Sequence, residues 1–219
     1  VCVKPDKNPF DKRAQRYDRW FDSRRGQAIF AAEVACLRQL AQEHPGRWLE
    51  VGVGTGRFAE ALGISEGVDP SLPMLEMARR RGIRVRHGYG EALPYADTLF
   101  DGVLLVVTVC FLSDPPKAFK ECSRVLAGDG CLLIGFVPAD SPWGTFYARK
   151  AREAHPFYSA ARFYTCLEVV ALGKKAGFVL NDAVSCLLSP PGAPVGRTRR
   201  DGMAEGAGFV GIKFHKTVK

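Results

Sequence analysis

"WLEVGVGTGRF" (residues 48–58) sets Gly52, Gly54 and Gly56 at alternate positions after a short apolar run. A turn so free of side chains lets backbone come close to a ligand. The dinucleotide fingerprint G-x-G-x-x-G needs a third glycine so that the helix can pack on the strand; counted from Gly52, that position is Arg57. Shifting the frame to Gly54 or Gly56 does not supply it. The P-loop needs G-K-[ST] after four variable residues, and none follows. Both phosphate readings therefore weaken. Glu50, a carboxylate on the strand just ahead of the turn, is ill placed beside a pyrophosphate and suits a cofactor carrying positive charge. Asp69 closes the next apolar stretch, where a carboxylate can accept from both hydroxyls of a ribose. That feature is shared by adenosine cofactors of several kinds.

Outward from the turn, the pattern alternates. Residues 48–53 read as a buried strand, 57–62 as a short helix, and 65–68 as a strand ending at Asp69. Residues 70–81 read as a helix capped by Gly82, and 83–87 as a third strand. Residues 100–109 are almost wholly apolar, as a central parallel strand covered on both faces must be. A helix over 115–126, stopped by "AGDG", and a strand over 131–137 follow. This alternation predicts an α/β fold with a doubly wound, mostly parallel sheet and helices on both faces.

The flanks are different. Residues 9–44 have helical spacing, with Gly26 expected to divide them into two helices and Pro45-Gly46 to end the second. Residues 138–165 are rich in aromatic and arginine residues and read as a lid or substrate-recognition insertion. A helix over 166–176, a strand over 178–188, a long loop over 189–208 and a last, antiparallel strand over 209–216 make seven strands in all. With no repeat and no linker, one domain is expected. Its parts are N-terminal cap helices (1–44), a cofactor-binding core (45–137), the lid (138–165) and a C-terminal helix and strands (166–219).

Composition narrows the function classes. The chain has 219 residues, 47% apolar and 25% charged, as in an ordinary globular protein. No apolar run approaches the ~20 residues of a membrane span, and the charged start does not read as a secretory signal. Seven scattered cysteines without a C-x-x-C pair argue against a disulfide framework or a zinc ribbon; no metal site is expected, and a reducing, cytoplasmic setting is. The net charge of +8, with clusters such as "RRRGIRVR" and "GRTRR", allows a nucleic-acid partner. No aromatic residue interleaves with those arginines of "RRRGIRVR", so a solvated helix end is the favoured reading.

The segments "WLEVGVGTGRFAEAL", "GVDPSLPMLEMARRRG", "GYGEALPYADTLFDGVLLV" and "FLSDPPKAFKECSRVLAGDGCLLIG" stand in an order and spacing that resemble a class I S-adenosylmethionine-dependent methyltransferase. The resemblance is to the small-molecule group that includes the ubiquinone and menaquinone-biosynthesis enzymes. It runs from about Tyr17 to Val137, and "FYTCLEVVALGKKAGF" also fits. It implies a Rossmann-like fold, S-adenosylmethionine as cofactor with S-adenosylhomocysteine as product, and a small-molecule methyl acceptor. Gly52, Val53 and Gly54 would form the turn under the methionine moiety, with Glu50 linked to its amino group. Asp69 would hold the ribose; Pro70, Ser71 and Met74 would pack beside the adenosine. Gly90, Glu91 and Ala92 would present backbone to the adenine edge. Val106, Val107 and Thr108 would floor the methionine side, and Tyr17 would close over the cofactor. There are two departures from the family pattern: Tyr89 stands where an adenine-binding Asp is usual, and Cys110 and Phe111 stand where many members carry His.

Other residues have competing readings. "SDPPKAF" differs from the D-P-P-aromatic motif of adenine amino methyltransferases, because residues 110–113 intervene and Lys117 replaces the aromatic; Asp114 is better read as a helix cap. His155 and Tyr17 are the weak catalytic candidates, His155 as a base in the lid. Cys110 has no His or Lys near it in sequence and reads as a buried thiol. Aromatic residues of the lid, Trp143 to Tyr164, could wall a substrate pocket. The same fold acting on RNA or protein, and a non-catalytic S-adenosylmethionine or S-adenosylhomocysteine binder, are the alternatives.

Overall fold

Along "FDGVLLV", Val103 and Leu105 are buried in one apolar cluster while Leu104 and Val106 are buried in another. Side chains alternate across a strand, so a strand apolar on both faces must lie between two layers. This strand is β4 (Phe100–Val106) of an eight-stranded sheet. The computed structural model describes residues 8–42, 44–153 and 155–217. The other strands are β1 (Trp48–Val51), β2 (Glu66–Asp69), β3 (Arg84–His87), β5 (Leu126–Phe136), β6 (Phe178–Cys186), β7 (Arg200–Asp201) and β8 (Phe209–Lys216). Their order is β3-β2-β1-β4-β5-β8-β6-β7.

Strands β1 to β5 are parallel, with Leu49 of β1 facing Glu66 of β2 on one side and Val103 of β4 on the other. β8 is antiparallel to both β5 and β6, so β6 runs with the parallel set. The carboxyl ends of β1, β2, β4, β5 and β6 therefore share one edge of the sheet, where open α/β sheets bind ligands. Helices α1 (Ala14–Trp20), α2 (Arg24–Ala41), α3 (Arg57–Leu62), α4 (Leu72–Arg80), α5 (Pro115–Val125), α6 (Pro142–Arg152) and α7 (Cys166–Lys175) complete the chain. The cluster under α5 and α7 contains Phe119, Val169 and Phe214; that under α2 and α4 contains Leu37, Leu75 and Phe209. Each such side chain stabilises the fold by about 1.5–3 kcal/mol of burial. No helix among the described residues is long and apolar enough to cross a membrane.

Local chemistry corrects three expectations. Gly26 does not divide the N-terminal helices. The break falls at residues 21–23, where Ser23 Oγ accepts from the Gly26 N–H at 3.0 Å and caps α2. Gly26 sits inside the first turn because a Cβ there would collide with the Trp20 carbonyl. "AGDG" does not precede β5 but belongs to it, and a register shift between Phe100 and Gly102 absorbs the irregularity. The sheet has eight strands rather than seven, because Arg200 and Asp201, in the stretch expected as loop, pair with Ser185 and Val184. The Asp114 expectation holds: its side chain accepts from the Lys117 N–H at 3.1 Å, with Pro115 at the first helical position.

Candidate active site

At the carboxyl edge, a cavity of about 560 Å³ opens beside the glycine turn, a volume typical of small-molecule sites. Gly52 and Gly54 have φ of +74° and +51°. A Cβ on Gly52 would strike the Thr108 side chain, whereas one on Gly54 would meet nothing within 4 Å. The first glycine thus lets the turn seat against Thr108, just past the end of β4, and the second leaves the space beside it open. Val107 also has a positive φ, +51°, which is costly for a β-branched residue. Its N–H donates to the Gly135 carbonyl at 2.7 Å, and Val107 lines the cavity.

Of the residues expected to contact a cofactor, Tyr17, Gly52, Gly54, Asp69, Pro70, Met74, Gly90, Glu91, Val106, Val107 and Thr108 line this cavity. Glu50, Val53, Ser71 and Ala92 are not among its lining residues. Both Asp69 oxygens are held: Oδ2 accepts from the Gly54 N–H at 2.9 Å and Oδ1 from the Ser71 N–H at 2.8 Å. Burial dominates over these bonds and raises its pKa to about 6. Glu50 is 2% exposed, and burial raises its pKa well above the usual carboxylate range. Its Oε2 and the Ser71 Oγ are buried without a hydrogen-bond partner. A buried, unpartnered acceptor ahead of an open turn fits an incoming ammonium group.

The far wall contains residues that sequence reasoning missed. Phe10 lies 5.2 Å from Phe157, ring to ring and stacked, and 5.1 Å from Phe111. Phe10, Leu112 and Ala160 line the cavity, so the segment before α1 and the 138–165 segment meet over it. Nothing in "NPFDKR" marks Phe10 beyond an apolar residue among charges. The Glu91 side chain is engaged by the neighbouring loop, accepting from the N–H groups of Ser113 at 2.7 Å and Asp114 at 3.1 Å. Tyr89 lines the cavity and is 53% exposed. His155 does not reach the cavity; it stacks on Tyr158 with centroids 4.5 Å apart. Cys110 is inert by environment, since burial pushes its thiol up to about 12.

Arg57, the residue that spoiled the dinucleotide fingerprint, has a structural role. Its guanidinium donates to Asp18 Oδ1 and Oδ2 at 2.7 Å each and to Asp22 at 2.8 Å. Arg81 donates to Asp18 as well, and to the Thr55 carbonyl at 2.7 Å. Burial opposes ionisation of Asp18, but its bonds from Arg57, Thr55 and Arg81 prevail and lower its pKa to about 2. This cluster ties α1, which carries Tyr17, to the glycine turn and to α4. Arg81 is therefore not part of a merely solvated helix end, and in the same run Arg84 bonds Glu66 and Arg86 the Pro94 carbonyl.

A methyltransferase-domain family model matches residues 49–134. A crystal structure from Thermotoga maritima, described as an S-adenosylmethionine-dependent methyltransferase, possible histamine N-methyltransferase, is 38% identical, with a TM-score of 0.87 over 95% of this chain and 98% of that one. The chain belongs to the S-adenosylmethionine-dependent methyltransferases. It is also 44% identical to an uncharacterized protein of Mycobacterium tuberculosis over 91% of this chain and 70% of the relative. An uncharacterized protein of Methanocaldococcus jannaschii is 37% identical over 95% of this chain and 99% of the relative.

Proposed function

We propose that the cavity binds S-adenosylmethionine and that the enzyme transfers its methyl group to a small-molecule acceptor. The observation that carries this reading is the pairing of an open glycine turn with the orphaned Glu50 oxygen and the backbone-held Asp69 carboxylate. Glu50, with Gly52, Val53 and Gly54, would hold the methionine end. Asp69 would accept from the ribose hydroxyls, and Pro70, Ser71 and Met74 would flank the adenosine. Gly90, Glu91 and Ala92 would border the adenine through backbone, because the Glu91 carboxylate is already engaged. The cofactor supplies an electrophilic methyl on a sulfonium. The protein's part is to hold the acceptor in line with that methyl and to exclude water, and positioning of this kind is worth about 7–11 kcal/mol.

A small acceptor is supported by the roof that Phe10, Phe111 and Phe157 build over the cavity. We read residues 138–165 and the N-terminal helices of this one domain as its lid. Tyr17 lines the cavity, and burial, then the fields of Glu33, Glu50 and Asp69, keep its phenol protonated. It acts by closing the site and donating a hydrogen bond, not as a base. Titration calorimetry with S-adenosylhomocysteine tests the cofactor site, and release of S-adenosylhomocysteine across a panel of small acceptors tests the transfer. Absence of binding by either cofactor form would overturn the reading.

A further inference from the structure

The cavity follows the strand order. Its lining comes from residues 106–108 at the end of β4, the glycine turn after β1, Asp69 at the end of β2, and residues 88–91 beyond β3. These strands are neighbours in that order across the sheet. A ligand with one end over the turn and its ribose on Asp69 therefore has its base at the β3 end.

At that end the sequence reads Gly88-Tyr89-Gly90. The two glycines let the backbone press onto its neighbours: a Cβ on Gly88 would meet Pro94 at 3.1 Å, and one on Gly90 would meet Leu112 at 3.0 Å. The Ala92 N–H closes the turn by donating to the Tyr89 carbonyl at 3.1 Å. The Gly88 N–H ties it to β2 by donating to the Asp69 carbonyl at 3.2 Å. The Tyr89 side chain stands out from this fixed backbone. It lines the cavity, is 53% exposed, and its hydroxyl bonds to no described residue. The His87 ring stands edge-on to it, with centroids 6.3 Å apart, and is itself held by a bond from Nε2 to the Pro70 carbonyl at 3.0 Å. A large ring left bare at the wall of a cavity gains by covering a flat ligand.

Among the described residues that line the cavity, the carboxylates are Asp69 and Glu91. Asp69 is the ribose acceptor of the cofactor reading, and Glu91 Oε1 already accepts from the Ser113 and Asp114 N–H groups. Neither is left to accept from a 6-amino group. Resting on the cofactor reading above, we propose that the Tyr89 ring stacks on the base of the cofactor and carries its recognition, so that the site takes a purine with either a 6-amino or a 6-oxo group. An aromatic face tolerates any base, because every base has a π-face. A site that reads a donor by hydrogen bonding rejects the analogue that lacks it.

The test uses the full chain and calorimetry with S-adenosylhomocysteine and its 6-oxo analogue, S-inosylhomocysteine. Wild type should bind the two within about threefold of each other. Tyr89→Ala should weaken both by about tenfold or more, the loss of one stacking partner. Tyr89→Phe keeps the ring and should bind both within about twofold of wild type. Without ligand, each variant should melt within about 2 °C of wild type, as an exposed side chain predicts. A larger drop would give the ring a structural role and counts against the proposal. Discrimination against S-inosylhomocysteine by more than about threefold, Tyr89→Ala affinity within about threefold of wild type, or a loss in Tyr89→Phe equal to that in Tyr89→Ala overturns the proposal and leaves the cofactor reading in place. Failure of wild type to bind either ligand overturns the cofactor reading, and this proposal with it.

Discussion

The two walls of the cavity are built in opposite ways. On the β1–β2 side the charge that faces the ligand is already fixed by backbone: Asp69 is clamped by the N–H groups of Gly54 and Ser71. On the side of Phe10 and α1 the groups are held by other side chains, through the Asp18 ion cluster and the Phe10–Phe157 stack. Backbone geometry pre-organises a site for one unvarying ligand. Side-chain packing can be rearranged without refolding the sheet, which suits the partner that differs between relatives. On the function proposed above, the difference assigns cofactor recognition to the fold and acceptor recognition to the covering elements.

The strongest way to break the first wall is Gly52→Ala. With φ at +74° and Thr108 in the way of a Cβ, the turn cannot be kept. S-adenosylhomocysteine affinity should fall about 100-fold or more, from strain of about 1–3 kcal/mol plus the collision. A variant that binds within threefold of wild type would contradict the placement of the turn.

Asp69→Asn tests the clamp with the shape retained. Loss of charge-assisted bonds to ribose should weaken binding by about 10- to 100-fold. The same carboxylate sets a pH dependence. Its pKa is raised from 3.8 to about 6 in the free protein, so between those values the free fold holds a proton that the unfolded chain releases. Stability of the free protein contributed by this group therefore declines as pH rises through that window. Ligand binding has the opposite sign, because ribose needs the ionised acceptor: affinity should be flat above about pH 7 and fall below pH 6. Calorimetry across pH 5–8 reads this directly, and Asp69→Asn should flatten the profile.

Asp18→Ala addresses the second wall. It leaves Arg57 and Arg81 without their shared partner, at a cost of about 2–3 kcal/mol given that all three side chains are partly screened by solvent. Urea denaturation should show that loss, and cofactor affinity should fall by about tenfold as α1 and Tyr17 loosen. A stability loss with unchanged affinity would separate α1 from ligand closure. The smallest effect is expected at Cys110→Ala. A thiol pushed up to about 12 is no nucleophile, so turnover should stay within about twofold of wild type; a large loss of activity would bring Cys110 back as a catalytic group.

Much of the first wall is legible in sequence because its devices are local. The glycines, Glu50 and Asp69 mark strand ends and turns whose geometry follows from spacing, and α3 and β8 fall at the residues their patterns indicate. Arg57 could be seen to exclude a dinucleotide, but its bond to Asp18 spans 39 positions and leaves no periodic trace. Phe10 and Ala160 were not legible for the same reason. Each belongs to an element whose own pattern is ordinary, and its role arises only from what a distant element brings beside it. Gly26 misled because a glycine in a helical pattern reads as a break, whereas here it makes room for the carbonyl of the preceding turn.

By itself the sequence determined the α/β alternation, the glycine turn and the acidic residue that follows it, since these depend on hydrophobic period and backbone conformation within a few residues. Only the tertiary structure decided which side chains meet over the cavity and that an ion cluster ties α1 to the turn. Those are contacts between segments distant in the chain, and their energies depend on burial and mutual placement that no local pattern encodes.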